Sequence, residues 1–365
     1  MQLSPTLAWL IDHAAGLPTA DRLLAELGTR LVAERLPLAG GALTLEVPDP
    51  LVARRTWLWR SDNGEVIEAL GFGGGGPLAA EVDRLSQDPI RQWLSGIAEG
   101  AAHEDAIGPN RDRSALAWIG PRPFAAEEVD YLRQVARFAA APLTAIAGRA
   151  TLTAALEAYL GRRSAARVLA APLRRNIAGE TIQAALLYAD LRGFTALSEA
   201  NPPAVVIAAL DAWFDRVAGA VHAFGGEVLK FIGDGILAIF PVGSAGPREA
   251  SNSALRAASA AQAGMQYLNA NRLQQKLPQL SFGIALHLGE ILWGNIGAAD
   301  RLDFTAIGPS VNLVSRLEGL CRPLGKTILA SGALAAATDA PLVLLGTHAL
   351  RGIADPCEVF TLAED

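Results

Sequence analysis

Read as apolar and polar positions, the chain divides into two halves. Residues 20–35 (ADRLLAELGTRLVAER) have helical apolar spacing and predict a helix. GALTLEV, from Gly41, predicts a strand. TWLWR and EVIEAL flank Ser61-Asp62-Asn63-Gly64, and Asn-Gly between apolar runs is a strong hairpin signal. GFGGGGP at 71–77 predicts a loop; a phosphate-cradling reading of it lacks the Lys-Ser/Thr that such loops carry. SALAWIG at 114–120 is a further strand, ended by Gly-Pro-Arg-Pro. A helix then opens at Ala125-Ala126-Glu127-Glu128, with acids in its first turn. The helical pattern runs over 126–161 with a break expected at Pro142, and Leu152, Leu156 and Leu160 recur every four residues. Such a helix either pairs with its copy or packs on its own domain.

In the second half, TIQAALLYAD predicts a buried strand that ends at Asp190, before Leu191-Arg192-Gly193-Phe194-Thr195. An acid there suits metal binding or a helix cap, and free backbone N–H groups of the turn suit phosphate oxygens. EVLKFI and ILAIF are strands joined at Gly233-Asp234-Gly235, which puts Asp234 at a hairpin tip. Two carboxylates from neighbouring strand ends are what Mg²⁺ takes before water and phosphate complete its octahedron. Lys230, inside VLKFI, is costly unless its ammonium finds a partner or a pocket. FGIALHLG and EILWGNIG read as two strands, DFTAIG as a third, and a helix begins near Pro309-Ser310. On it Asn312 and Arg316 lie one turn apart on one face, and Glu318 is open to pairing with a basic neighbour.

Charge and composition narrow the classes. The net charge of −6 over 365 residues gives no general nucleic-acid or anionic-membrane binder, so a phosphate ligand needs locally placed cations. Cys321 and Cys357 are the two cysteines, too few for a disulfide framework. The N-terminus has no basic stretch and carries Asp12 early, unlike a signal peptide. The longest apolar run, near 135–147, holds Arg137 and Pro142 and falls short of the ~20 residues of a membrane span. The expectation is a cytoplasmic, soluble protein with no nucleic-acid or membrane partner.

Four motifs carry a resemblance: Asp190-Leu191-Arg192-Gly193-Phe194-Thr195, Lys230-Phe231-Ile232-Gly233-Asp234-Gly235, Gly294-Asn295-Ile296-Gly297, and Val311-Asn312-Leu313-Val314-Ser315-Arg316-Leu317-Glu318. In order and spacing they resemble the catalytic domain of class III adenylyl and guanylyl cyclases. The resemblance implies an α+β architecture: a ferredoxin-like domain, an antiparallel sheet with flanking helices, working as a head-to-tail homodimer with two shared sites. Asp190 and Asp234 of one chain, with the Leu191 carbonyl, would hold two Mg²⁺ or Mn²⁺ ions. Lys230 and Thr305 of the other would read the base. Asn312 and Arg316 would place the ribose and steady the α-phosphate, and Arg351 resembles a late lysine on the β- and γ-phosphates. The turn Gly193, Phe194 and Thr195 would meet phosphate oxygens.

Lysine donates to N1 of adenine and a threonine hydroxyl accepts from its 6-amino group, so the pair favours ATP. The implied reaction is in-line attack of the ribose 3′-hydroxyl on the α-phosphorus, giving cyclic AMP and pyrophosphate. Departures stand at Pro309-Ser310, before Val-Asn, and at Gly283, where some relatives place a phosphate-contacting arginine. His287 reads as a buried structural histidine. The alternatives are a guanylate or dual-specificity cyclase and a silent nucleotide-binding regulator; a diguanylate cyclase would form its hairpin turn from Gly225-Gly226-Glu227, which here precedes the Gly-Asp-Gly turn.

The N-terminal pattern is similar to a GAF-like α/β sensory domain, with an unspecialised dimerisation domain as the equal alternative; an unidentified small-molecule effector is the partner a sensory role implies. The organisation expected is 1–125 sensory, 126–180 helical linker and 181–365 catalytic.

Overall fold

A computed structural model describes residues 3–46, 52–72, 87–108, 114–170, 179–298 and 302–363. The chain divides into two compact units, Met1–Ala154 and Ala155–Asp365.

The first unit holds helices α1 (Pro5–Asp12) and α2 (Ala20–Ala33), and strands β1 (Gly40–Glu46), β2 (Val52–Arg60) and β3 (Val66–Phe72). Helix α3 (Gln87–Ser95), strands β4 (His103–Ala106) and β5 (Ala115–Ile119), and the start of α4 (Ala126–Leu160) complete it. Its antiparallel sheet runs β3-β2-β1-β5-β4. Leu23, Leu24, Leu27 and Leu31 of α2 and Leu132, Val135, Ala139 and Leu143 of α4 bury one face over Leu43, Trp59 and Trp118. Leu94 of α3 packs on the other, over Ala42, Leu58 and Ala117. The hairpin at Ser61–Gly64 forms as expected, with Gly64 at φ +69°. Gly71 and Phe72 end β3, while the rest of the Gly-rich run, 73–77, lies outside the described residues.

Two expectations for α4 are corrected. The helix continues through Pro142, which is buried; the lost N–H bond is outweighed by packing of Val135, Ala139, Leu143 and Ile146 on the core. At 35 residues α4 is also long and apolar enough to cross a membrane, the one such helix among the described residues. The same apolar residues of its first half lie in the N-terminal core.

The second unit adds α5 (Arg162–Ala170), β6 (Glu180–Arg192), α6 (Phe194–Ala200), α7 (Pro203–Ala223), β7 (Glu227–Ile232), β8 (Gly235–Pro241) and α8 (Gly246–Gln274). Then follow β9 (Ser281–Gly297), β10 (Leu302–Ile307), α9 (Pro309–Glu318), β11 (Ile328–Ser331), α10 (Gly332–Ala335), β12 (Leu342–His348) and β13 (Cys357–Leu362). The sheet order is β12-β13-β11-β9-β6-β8-β7, with β10 on β9; all pairings are antiparallel except β9 with β11. The segment β6–β9 is thus a βαββαβ unit in the order β9-β6-β8-β7, with β6 and β8 at its centre. The two strands expected at 282–297 are one, because β6 pairs with β9 without interruption from Glu180 to Arg192.

Alternation along β6 fixes the layers. Ala185, Leu187, Ala189 and Leu191 face α7 and α8, against Trp213, Val217, Ala254 and Ala258. Ala184 and Leu186 face α9, against Val314, Leu317 and Cys321. By the same period, Tyr188 and Asp190 continue on the α9 side.

Candidate active site

Asp190 is the last acid of β6, and Asp234 occupies the two-residue turn between β7 and β8. Gly233 sits at φ +64°, a conformation glycine takes without strain, and the Trp213 indole N–H donates to the Asp234 carbonyl at 2.9 Å. The strands bring the two acids together through Gly235. A Cβ there would lie 3.1 Å from Asp190 Oδ1 and 2.8 Å from the Tyr188 hydroxyl oxygen, so only glycine leaves room for them.

These charges are uncomfortable. Burial, then the Asp234 charge, pushes the Asp190 carboxyl up to about 6 against the pull of the Leu191 N–H. Burial raises Asp234 as well. Glu318, at the end of α9, rises to about 7 through burial and the Asp190 charge, with Arg192 opposing. Burial and all three carboxylates hold the Tyr188 hydroxyl protonated, up to about 12. Among the described residues no group of three or more His, Cys, Asp or Glu side chains is arranged as a metal cage. Two half-buried carboxylates that repel each other nonetheless suit a divalent ion that keeps water and takes phosphate oxygens.

A second cluster lies along β7 and β10. Lys230 Nζ donates to Asp303 Oδ2 at 2.8 Å. Asp303 and Thr305 are two apart on β10 and share a face. Thr305 is 4% exposed, and its hydroxyl has no hydrogen-bond partner among the described residues. The opposite face, Phe304 and Ala306, packs with Trp293 in the core.

The remaining candidates are placed as follows. Asn312 and Arg316 project exposed from α9, one turn apart. Gly193, at φ +75°, opens the short α6, with Phe194 half-buried and Thr195 exposed; Leu191 turns its side chain into the α7/α8 core. Arg351 is exposed in the turn between β12 and β13, and among the described residues no hydrogen bond or ion pair joins it to the other candidates. His287 is buried, with Nδ1 2.8 Å from Ser331 Oγ.

The comparisons decide the family. Residues 178–334 match the family model described as the adenylate and guanylate cyclase catalytic domain. Residues 178–334 are a class III adenylyl/guanylyl cyclase domain.

Among curated relatives of the cyclase domain, adenylate cyclase 1 of Rhizobium meliloti (strain 1021) is 35% identical over 150 residues, 41% of this chain and 22% of that one. The adenylate cyclase of Anabaena cylindrica is 35% identical over 156 residues, 42% of this chain and 30% of that one. The chain therefore spans under a third of the length of either relative. The structure of a bacterial light-regulated adenylyl cyclase superposes with a TM-score of 0.54 at 17% identity, covering 89% of this chain and 94% of that one, a likeness of fold.

Three neighbours of the candidate site carried no site role in the sequence reading. Asp303 was findable, since it precedes Thr305 by one strand period. Tyr188 likewise precedes Asp190 by two. Glu318 was read only as the member of an ion pair; nothing local signals that it meets Asp190, because α9 and β6 are more than a hundred residues apart in sequence.

Proposed function

We propose that this protein is an adenylate cyclase, forming cyclic AMP and pyrophosphate from ATP as a homodimer whose two sites are each shared between chains. One observation carries the choice of nucleotide: the Thr305 hydroxyl is buried and unpartnered on the β10 face that Lys230 reaches. A buried hydroxyl without a partner is costly, and a base edge would relieve it. Adenine offers the matching polarity, N1 to accept from lysine and the 6-amino group to donate to threonine; guanine offers the reverse.

Asp190 and Asp234, with the Leu191 carbonyl, would hold two divalent ions, Mg²⁺ or Mn²⁺. Bound ions supply Lewis-acid activation of the ribose 3′-hydroxyl and neutralise charge on the leaving pyrophosphate. The chain's own side chains do the rest. Lys230 and Thr305 select the base, and Asn312 orients the ribose. Arg316 meets the charge that grows on the α-phosphate, a role whose loss commonly costs ~10²–10³ in rate. Arg351 and the Gly193, Phe194 and Thr195 turn contact the outer phosphates.

Shared sites are supported by the separation of the two clusters. Lys230 is engaged with β10, while Asp234, four residues on, lies in the β7–β8 turn near Asp190 of β6. A single ATP is served by both most simply when the clusters come from different chains. We further assign residues 1–125 to a GAF-like sensory module with a small-molecule effector, 126–180 to a helical linker and 181–365 to catalysis, in a cytoplasmic protein. Product analysis tests the reading: purified protein with ATP or GTP and Mg²⁺ or Mn²⁺, resolved by chromatography. Cyclic AMP with little cyclic GMP is expected; cyclic GMP as the main product, or nucleotide binding without turnover by 165–365 as by the full chain, overturns it.

A further inference from the structure

The geometry points to Asp303 as the residue that positions Lys230 for base selection, an inference that rests on the base-reading role proposed above. Lys230 sits on a strand edge with a long, flexible stem, and such a side chain loses much rotamer freedom when it is fixed. The structure fixes it: Nζ lies 2.8 Å from Asp303 Oδ2. Stability does not explain the pair, because Lys230 is 30% and Asp303 57% exposed, and exposed ion pairs contribute little. Direction does explain it. Asp303 shares its β10 face with Thr305, so a lysine held by Asp303 is delivered to the face that carries the unpartnered hydroxyl. An ammonium has three donors; Asp303 accepts one and leaves two for a ring nitrogen of the ligand. The register shift between Val228 and Lys230 in the pairing with β8 accompanies this placement: Leu229 lies in the buried cluster of Trp293 and Phe304, while Lys230 reaches β10.

Asp303 then acts through Lys230 and touches no reacting atom. Its removal should weaken adenine selection and leave the phosphate chemistry to the other residues.

The test is a double-mutant cycle on the full chain, with KM and kcat for ATP and GTP and, in parallel, the calorimetric affinity for ATP. D303A is expected to raise the ATP KM about tenfold, with a smaller change in kcat, and to narrow the ATP-to-GTP ratio by a similar factor. K230A should do the same or more, and K230A/D303A should be no worse than K230A alone, since the two act as one unit. D303E, which keeps the carboxylate, should recover part of the loss. Unchanged ATP KM and affinity in D303A, or losses that multiply in the double variant, would overturn the assignment while K230A alone remained impaired. A K230A protein with normal KM and normal ATP affinity would instead overturn the base-reading role, and this inference with it. If the wild type binds ATP without turning it over, the same cycle read in affinity decides.

Discussion

Trp213 reaches across from α7 to hold the backbone carbonyl of Asp234 at 2.9 Å, so a fully buried indole anchors the turn that carries a candidate metal ligand. Trp213→Phe removes that donor and leaves the carbonyl short of a partner. A loss of ~1–3 kcal/mol is expected from the unpaired group and the smaller ring. Cyclase activity should fall about tenfold, chiefly in kcat. Denaturant melts and steady-state kinetics on the same preparation check both. Unaltered kcat in a destabilised protein would separate the anchor from the chemistry.

Gly283 faces Glu318 and Cys321. A Cβ at 283 would stand 2.3 Å from Glu318 Oε1 and 3.0 Å from Cys321 Cβ, and Cys321 is completely buried. An arginine at 283 has no room while Glu318 keeps its position. Gly283→Ala is expected to cost ~1–3 kcal/mol as an overpacking change. Gly283→Ala with Glu318→Ala should recover part of it, which thermal melting of the single and double variants measures.

Glu227, 4% exposed at the start of β7, accepts from the Ser164 N–H at 3.0 Å and from its hydroxyl at 2.8 Å, in the first turn of α5. A buried carboxylate at a helix N-terminus satisfies otherwise orphaned donors and opposes the positive end of the dipole. Glu227→Ala is predicted to destabilise by ~1–3 kcal/mol and to raise hydrogen exchange over 162–170 before it raises exchange in the sheet. Protection of α5 equal to the wild type would contradict the capping role.

His287 titrates in a predictable direction. Burial lowers its pKa to about 4, so the folded chain keeps it neutral where the unfolded chain, near 6.5, takes up a proton. Its contribution is complete above about pH 6.5 and is lost as the pH falls towards 4. At pH 5 the expected loss is about 2 kcal/mol. Urea midpoints at pH 7 and pH 5 should therefore differ more for the wild type than for His287→Gln.

The sequence made some of this legible and hid the rest for physical reasons. Asp190 and Asp234 announce themselves because a strand end and a Gly-Asp-Gly turn are local patterns. Lys230 stands out as a charge inside an apolar strand and Asp303 shares a strand period with Thr305, but that the two pair with each other is a contact across 73 residues of sequence. Glu318 against Gly283, and Trp213 against Asp234, are likewise tertiary. Pro142 predicts a break on propensity alone, whereas an apolar face buried on the N-terminal core carries α4 through it. The continuity of β9 is set by its partner: Gly289-Glu290 looks like a boundary until β6 is seen paired along its whole length.

The separation of Lys230 from Asp234 gives the most direct test of the central claim. Asp234→Ala chains, expected to be inactive alone, and Lys230→Ala chains, expected to be impaired through a raised ATP KM, are mixed at ATP well below that KM, and heterodimer formation is shown by differential tags. Because one of the two shared sites in such a heterodimer has both residues intact, cyclic AMP synthesis should return to about half the wild-type rate per dimer at most. A demonstrated heterodimer no more active than the Lys230→Ala protein would contradict the shared-site cyclase.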